Sequence, residues 1–238
     1  MALSAKIKKY FISSSPLIIF IKDKTKNFIE SKAERSSRGR PPSFGREKYA
    51  ASFYMLHPTS LKEIAAKLKV PYALMRKWAI DPEFKKQVQI NSEEFLEEYM
   101  RLLVEEMETI QPTMVLRNFL VRVQSEVSMC NPFVQKEILE RVSKLKYERP
   151  DLIILLVDVA LVLILTRYRL ASEKKMGRRV KKKDITELVK FEKEIVISFK
   201  DFIGDELIKI LNKGQVTDED KNKGTDLIST LKEIGGLY

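Results

Sequence analysis

Apolar residues recur at helical spacing along most of the chain, and prolines interrupt the pattern. Over residues 44–57 they return roughly every three to five positions, which predicts a first helix closed by Pro58. Similar patterns predict helices over 92–110, 113–128, 133–147, 151–170 and about 185–212. A polar stretch at 213–225 precedes a short possible helix. Because Leu, Ile, Lys and Glu favour helices over strands, the predicted fold class is all-α.

Start and stop signals mark two short helices after the first one. Ser60 and Glu63 form a capping-box pattern, in which the serine hydroxyl accepts from the Glu63 amide and the glutamate reaches back. This pattern predicts a helix over 61–68. Proline is tolerated in the first turn of a helix but not in its interior, so Pro71 predicts a second helix that begins at Pro71 or Tyr72 and ends near Ile80.

The two short helices have the pattern of a helix-turn-helix unit, the N-terminal part of the predicted all-α fold. A small residue, Ala65, stands where the helices cross. The predicted shared core is Ile64, Leu68, Val70, Leu74, Met75 and Trp78. The residues left facing outward, and predicted to contact DNA, are Tyr72, Ala73, Arg76 and Lys77. An alternative interpretation is a generic three-helix unit whose basic residues only keep it soluble.

Among these residues Arg76 suits base recognition best. An arginine makes a bidentate contact to guanine worth roughly 1–3 kcal/mol of discrimination. Lys77 suits a phosphate equally well, and Tyr72 suits stacking or a hydrogen bond at the DNA backbone.

Charge alternates in blocks along the chain. Residues 1–50 carry 12 Lys and Arg against 4 Asp and Glu, and residues 51–91 carry 7 against 3. Residues 92–130 reverse the sign, with 8 glutamates against 3 arginines. The N-terminal part is therefore expected to bind polyanions, whereas the following acidic segment is expected to be repelled by phosphate.

Basic residues outside the two helices complete the predicted DNA-binding set. Arg38-Gly39-Arg40-Pro41 favours a plain basic linker that binds phosphate without sequence preference. The alternative is an AT-hook, which the segment resembles and in which arginines enter the narrow minor groove. Arg46 and Lys48, at the start of the first helix, belong to the same set. A further basic run at 174–183 has seven Lys and Arg and no acid, and it suits a solvated segment, contact with nucleic acid or contact with an acidic partner.

The composition argues against catalysis. A single cysteine, Cys130, excludes an internal disulfide and a cysteine-based metal cluster within one chain. A single histidine, His57, removes most of the acid–base and zinc repertoire, and the sequence has no G-x-x-x-x-G-K-[ST] phosphate loop. We therefore expect a non-enzymatic protein without metal or cofactor.

Two apolar stretches raise the question of a membrane. Residues 152–165 are 14 long and interrupted by Asp158, whereas a span needs about 20 residues, so a buried helix is expected. Lys6, Lys8 and Lys9 precede an apolar stretch that loosely imitates a signal peptide, but no cleavage site follows promptly. We expect no membrane partner and a cytoplasmic location, in the host cell if the protein is viral.

Residues 39–88 resemble the N-terminal domain of phage terminase small subunits, a match of about 50 of 238 residues. Shared elements are Gly39-Arg40-Pro41, Glu63-Ile64-Ala65, Leu68, Val70, Trp78 and Asp81-Pro82-Glu83-Phe84. Lys69 stands where the turn usually has glycine, so either it adopts a positive φ at some cost or the turn differs. Pro71 stands where a serine or threonine cap is usual. The resemblance implies a non-catalytic ring that binds viral double-stranded DNA for packaging and regulates a separate large subunit, an ATPase-nuclease.

The predicted organisation has four parts. They are a basic arm and linker at 1–43, a helix-turn-helix domain at 44–91, a helical oligomerisation domain at 92–170 and a C-terminal partner-binding region at 171–238. The helices at 113–128 and 151–166 are more apolar than one chain would cover, which predicts a homo-oligomer larger than a dimer. The rival functions are a dimeric transcription regulator, whose two-fold symmetry would match a palindromic site, and a structural virion or scaffold protein.

Overall fold

The computed structural model describes residues 15–30, 45–110, 114–172 and 182–235, and every regular element within these ranges is helical. The predicted all-α class is confirmed. In chain order the α-helices are α1 Pro16–Glu30, α2 Arg46–Tyr54, α3 Leu61–Leu68, α4 Tyr72–Ile80, α5 Pro82–Thr109, α6 Met114–Ser128, α7 Pro132–Glu148, α8 Ile153–Ser172, α9 Lys182–Leu211 and α10 Asp218–Gly235. A 3-10 turn, Pro150–Leu152, directly precedes α8.

Helix bounds agree best with the sequence pattern where capping signals are strong. The bounds of α3 and α4 are those predicted. The helix predicted to begin at residue 92 instead begins at Pro82, because the Asp81 carboxylate accepts the Glu83 amide at 3.0 Å and no glycine or proline interrupts residues 83–109. The C-terminal helix has 18 residues rather than a short run, and acidic residues in its first turn favour its N-terminus.

The chain divides into two compact units. Within the described ranges, unit 1 comprises the residues up to Leu102 together with Ser125–Gln135, and unit 2 comprises Leu103–Gln124 and the residues from Lys136 onward. The predicted boundary between residues 91 and 92 differs from this division and lies within α5. The division passes through α5, α6 and α7, so periodicity along a helix does not reveal it.

Unit 1 is built on α1, which the sequence analysis had assigned to a basic arm. The ring of Phe20 in α1 lies 5.8 Å from the ring of Phe53 and 5.6 Å from that of Phe95. Leu17 and Ile21 of the same helix are also buried. Burial of such side chains contributes roughly 1.5–3 kcal/mol each. Helix α1 therefore packs its apolar face into the core of unit 1 and is not part of an arm.

Unit 2 surrounds the apolar helix α8. Leu156, Val159 and Leu163 are fully buried, and α8 contacts both α9 and α10. Leu165 of the same helix is 55% exposed, so the described residues do not enclose α8 on every side. None of the described helices combines the length and apolar character needed to cross a bilayer.

Candidate nucleic-acid interface

The first helix of the candidate interface, α3, begins with the predicted capping box. The Glu63 amide donates to Ser60 Oγ at 3.3 Å, and the Ser60 amide donates to Glu63 Oε2 at 2.8 Å. The bond from the Ser60 amide, together with one from the Ser60 hydroxyl to Glu63 Oε2 at 2.8 Å, holds the pKa of the Glu63 carboxyl below its ordinary value. Two of the orphan amides at the helix start are thereby satisfied locally.

The turn between α3 and α4 depends on Lys69. Its backbone has φ 55° and ψ 41°, the left-handed conformation, which is one of the two alternatives considered for this position. The Val70 amide donates to the Ala65 carbonyl at 3.0 Å, and the Lys69 amide donates to the Ala66 carbonyl at 3.2 Å. This pair of bonds is a Schellman motif, which ends α3 sharply and directs the chain into α4.

Apolar side chains from both helices form the shared core of this pair. Ile64, Ala65 and Met75 are buried, whereas Leu68, Val70 and Trp78 are half-buried. The prediction for Leu74 is wrong, because its side chain is exposed. Counting 100° per residue, Leu74 lies about 100° from Met75, beyond the buried arc of α4.

One face of α4 is exposed along its whole length. The four predicted contact residues Tyr72, Ala73, Arg76 and Lys77 are all exposed. At 100° per residue they lie within a single arc of about 140°. Ile80, which the sequence analysis missed, is 73% exposed and lies within the same arc. Its position four residues after Arg76 was the signal available in the sequence.

Further exposed lysines lie before and after α4 in unit 1. Lys62 belongs to α3, Lys69 to the turn, and Lys85 and Lys86 to the first turns of α5. Together with Arg76 and Lys77, these lysines form no ion pair with any described residue. We call these six residues the basic surface. Unpaired cations are available to phosphate without first breaking an internal contact.

Lys48, one of the residues predicted to bind DNA, lies in an internal ion pair. Its ammonium lies 2.5 Å from Asp81 Oδ2 and 3.9 Å from Glu83 Oε2, and its side chain is only 7% exposed. The ion pair joins α2 to the start of α5 and holds the pKa of the Asp81 carboxyl below its ordinary value. Lys48 therefore stabilises unit 1 from within and is removed from the predicted DNA-binding residues.

The other predicted basic residues are placed differently. Arg46 is exposed at the first residue of α2. Arg38 and Arg40 lie outside the described residues. So does the basic run at 174–183, apart from the backbone of Lys182 and Lys183, which begin α9.

The single histidine and the single cysteine, the side chains best suited to catalysis, are half-buried and buried. His57 is half-buried with Nδ1 2.5 Å from Thr59 Oγ1, and burial lowers its pKa. Cys130 is buried and free, and burial raises the pKa of its thiol. The part of the chain that the structure describes contains no group of three or more His, Cys, Asp or Glu suited to a metal ion.

Comparison of the chain with protein-family models, with curated protein sequences and with solved structures gives no match.

Proposed function

We propose that this protein binds double-stranded DNA, with α4 in the major groove and the lysines of the basic surface on the phosphates. The observation that carries the proposal is the exposed face of α4. It presents Arg76 and Lys77 without internal partners, on a helix pair whose turn is held by the Schellman motif. A recognition helix needs this combination of a rigid mounting and free donors.

Within the face, side chains are assigned different roles. Arg76 reads a guanine edge through two parallel hydrogen bonds. Ile80 and Ala73 supply apolar contact of the kind that recognises a thymine methyl group. Tyr72 and Lys77 hold the adjacent DNA backbone, and Lys62, Lys69, Lys85 and Lys86 add phosphate contacts on either side.

A role in viral genome packaging is the finer form of this proposal. It rests on the resemblance of residues 39–88 to phage terminase small subunits. In that role the protein recognises viral DNA without catalysing a reaction, assembles as a ring and regulates a separate ATPase-nuclease. Co-purification with a large terminase subunit encoded beside it would support this role. A DNA-binding two-fold dimer would favour the transcription-regulator alternative instead.

The DNA-binding proposal is tested by fluorescence anisotropy with a labelled duplex. The full-length double variant Arg76→Ala/Lys77→Ala should weaken binding at least tenfold near 100 mM salt. Its matched control, Lys190→Ala/Lys232→Ala, removes the same charge from exposed positions of unit 2 and should stay within about twofold of the unchanged protein.

Two results would overturn the proposal. Equal loss of affinity in both double variants would mean that net charge alone attracts DNA. Affinity of the unchanged protein that does not vary between 50 and 200 mM salt would exclude a phosphate-binding surface, because releasing about five counterions, one for each lysine of the basic surface, predicts a steep salt dependence.

A further inference from the structure

A glutamate in unit 2 is buried without the hydrogen bonds that a carboxylate requires. Glu192 of α9 is 0% exposed, and neither carboxylate oxygen has a hydrogen-bond donor within the described residues. Arg167 of α8 lies beside it, with Nε 3.4 Å from Glu192 Oε1, and its Nη1 is also buried without an acceptor. An ionised carboxylate in this setting is far less stable than one in water.

The surroundings offer little further compensation. On α8, Tyr168 lies close enough that Glu192 contributes to raising the pKa of its hydroxyl. On α7, Lys136 forms an ion pair with Glu140 at 3.1 Å, and Glu140 also acts on Arg167. The ring of Phe191, next to Glu192, lies 4.9 Å from Lys136 Nζ and 5.4 Å from Arg167 Cζ. Arg167 is thus the cation closest to the glutamate, and it forms no hydrogen bond with it.

We propose that Glu192 and Arg167 make the packing of α9 against α8 sensitive to pH in the neutral range. When Glu192 binds a proton, the buried negative charge is lost and the α8–α9 contact is strengthened. When it releases the proton, the contact is weakened. The proposal concerns unit 2 and does not depend on DNA binding by unit 1.

The direction and range of the effect follow from burial. Burial raises the pKa of Glu192 to about 7, and the attraction of Arg167 offsets only part of this shift. A carboxyl whose pKa is higher in the folded chain than in the unfolded chain stabilises the fold in its protonated form. This stabilisation is fully present below the pKa of the unfolded chain, and it is lost as pH rises through the pKa of the folded chain. The equilibrium constant for unfolding of unit 2 is therefore expected to rise about tenfold between pH 6 and pH 8.

A second carboxyl provides a matched control. Asp158 of α8 is partly buried, and burial and the charge of Glu233 on α10 raise its pKa to about 6. Most of the destabilisation from its ionisation is already present at pH 6, where the group is half ionised in the folded chain, so it contributes only about a twofold change between pH 6 and pH 8. Asp158→Asn should therefore keep most of the pH dependence of the unchanged protein, whereas Glu192→Gln should reduce it to about twofold.

The experiment is urea unfolding of the full chain at several pH values, followed by circular dichroism. Fluorescence of Trp78, the only tryptophan, identifies the transition of unit 1. A Glu192→Gln variant with the pH dependence of the unchanged protein would overturn the proposal. Carbon-13 NMR of the Glu192 carboxyl in the unchanged protein is a second measurement, which stands even if the variant fails to fold. A titration midpoint of the Glu192 carboxyl near pH 4.5 would overturn the proposal. A midpoint near pH 7 that rises further in the Arg167→Met variant would support it.

Discussion

At the scale of single residues, Lys69 holds the least favourable backbone conformation of the described chain. It is the one residue other than glycine with positive φ there. The left-handed conformation costs an L-residue about 1–2 kcal/mol, and glycine adopts it freely. The capping bonds from Lys69 and Val70 to α3 hold the residue in place in spite of this cost.

Replacing Lys69 by glycine should therefore stabilise unit 1. The greater flexibility of glycine in the unfolded chain offsets part of the gain, which leaves about 0.5–1 kcal/mol. Denaturant unfolding followed by Trp78 fluorescence measures the change. Lys77→Gly removes the same charge from the interior of α4 and should destabilise by about 1 kcal/mol. If both variants were destabilised alike, the conformation of Lys69 would carry no strain.

Arg76 and the lysines of α5 should differ in what their loss does to DNA binding. Because base contacts specify and phosphate contacts position, Arg76→Ala should reduce discrimination between sequences by about 1–3 kcal/mol. Lys85→Ala/Lys86→Ala should weaken binding to all sequences similarly and reduce the salt slope. Selection of bound duplexes from a random pool, followed by titration at several salt concentrations, measures both effects. The reverse pattern would exchange their roles.

At the scale of elements, α5 changes the sign of its charge along its length. Its first turns carry Lys85 and Lys86, whereas exposed glutamates including Glu97 and Glu98 follow. The rise of 1.5 Å per residue places Glu97 about 16 Å beyond Lys86 along the helix. We infer that DNA is attracted to the first turns of α5 and repelled from the later ones.

The size of this repulsion should depend on salt. The Debye length is about 30 Å at 10 mM salt and about 8 Å at 150 mM, so the glutamates act over 16 Å only at low salt. Glu97→Gln/Glu98→Gln should raise duplex affinity several-fold at 10 mM salt and hardly at all at 150 mM. Asp205→Asn/Glu219→Gln makes the same charge change at exposed positions of unit 2. An equal effect of both pairs would leave only net charge as the cause.

At the scale of the whole molecule, unit 2 exposes apolar side chains that suit contact with another copy. Val121 of α6 and Leu165 of α8 are each 55% exposed. A shallow groove is lined by Leu116, Arg117, Leu120, Val121, Gln124 and Val162. Exposed apolar surface of this kind commonly marks an interface, so assembly into a homo-oligomer stays a prediction.

Light scattering at micromolar concentration tests the predicted assembly. The protein should have a mass of more than two chains, and Val121→Lys/Leu165→Lys should shift it toward 27.7 kDa. Ile197→Lys/Ile228→Lys changes exposed apolar residues elsewhere in unit 2 and serves as the control. A mass of 27.7 kDa for the unchanged protein would contradict the prediction, and a clean dimer would favour the regulator.

The sequence alone determined the features that depend on neighbours a few residues apart. The all-α class, the bounds of α3 and α4 and the capping box of Ser60 follow from local hydrogen bonds and sterics. The exposure of Arg76 also follows, because helical periodicity separates it from the buried position of Met75.

Only the tertiary structure decided which groups lose contact with water. Lys48 is buried in an ion pair with Asp81, 33 residues away, and the ring of Phe20 in α1 packs against those of Phe53 and Phe95. Burial of Glu192 likewise depends on a helix far along the chain. The desolvation of a charge or a ring depends on what packs around it, and that packing exists only once distant segments have met.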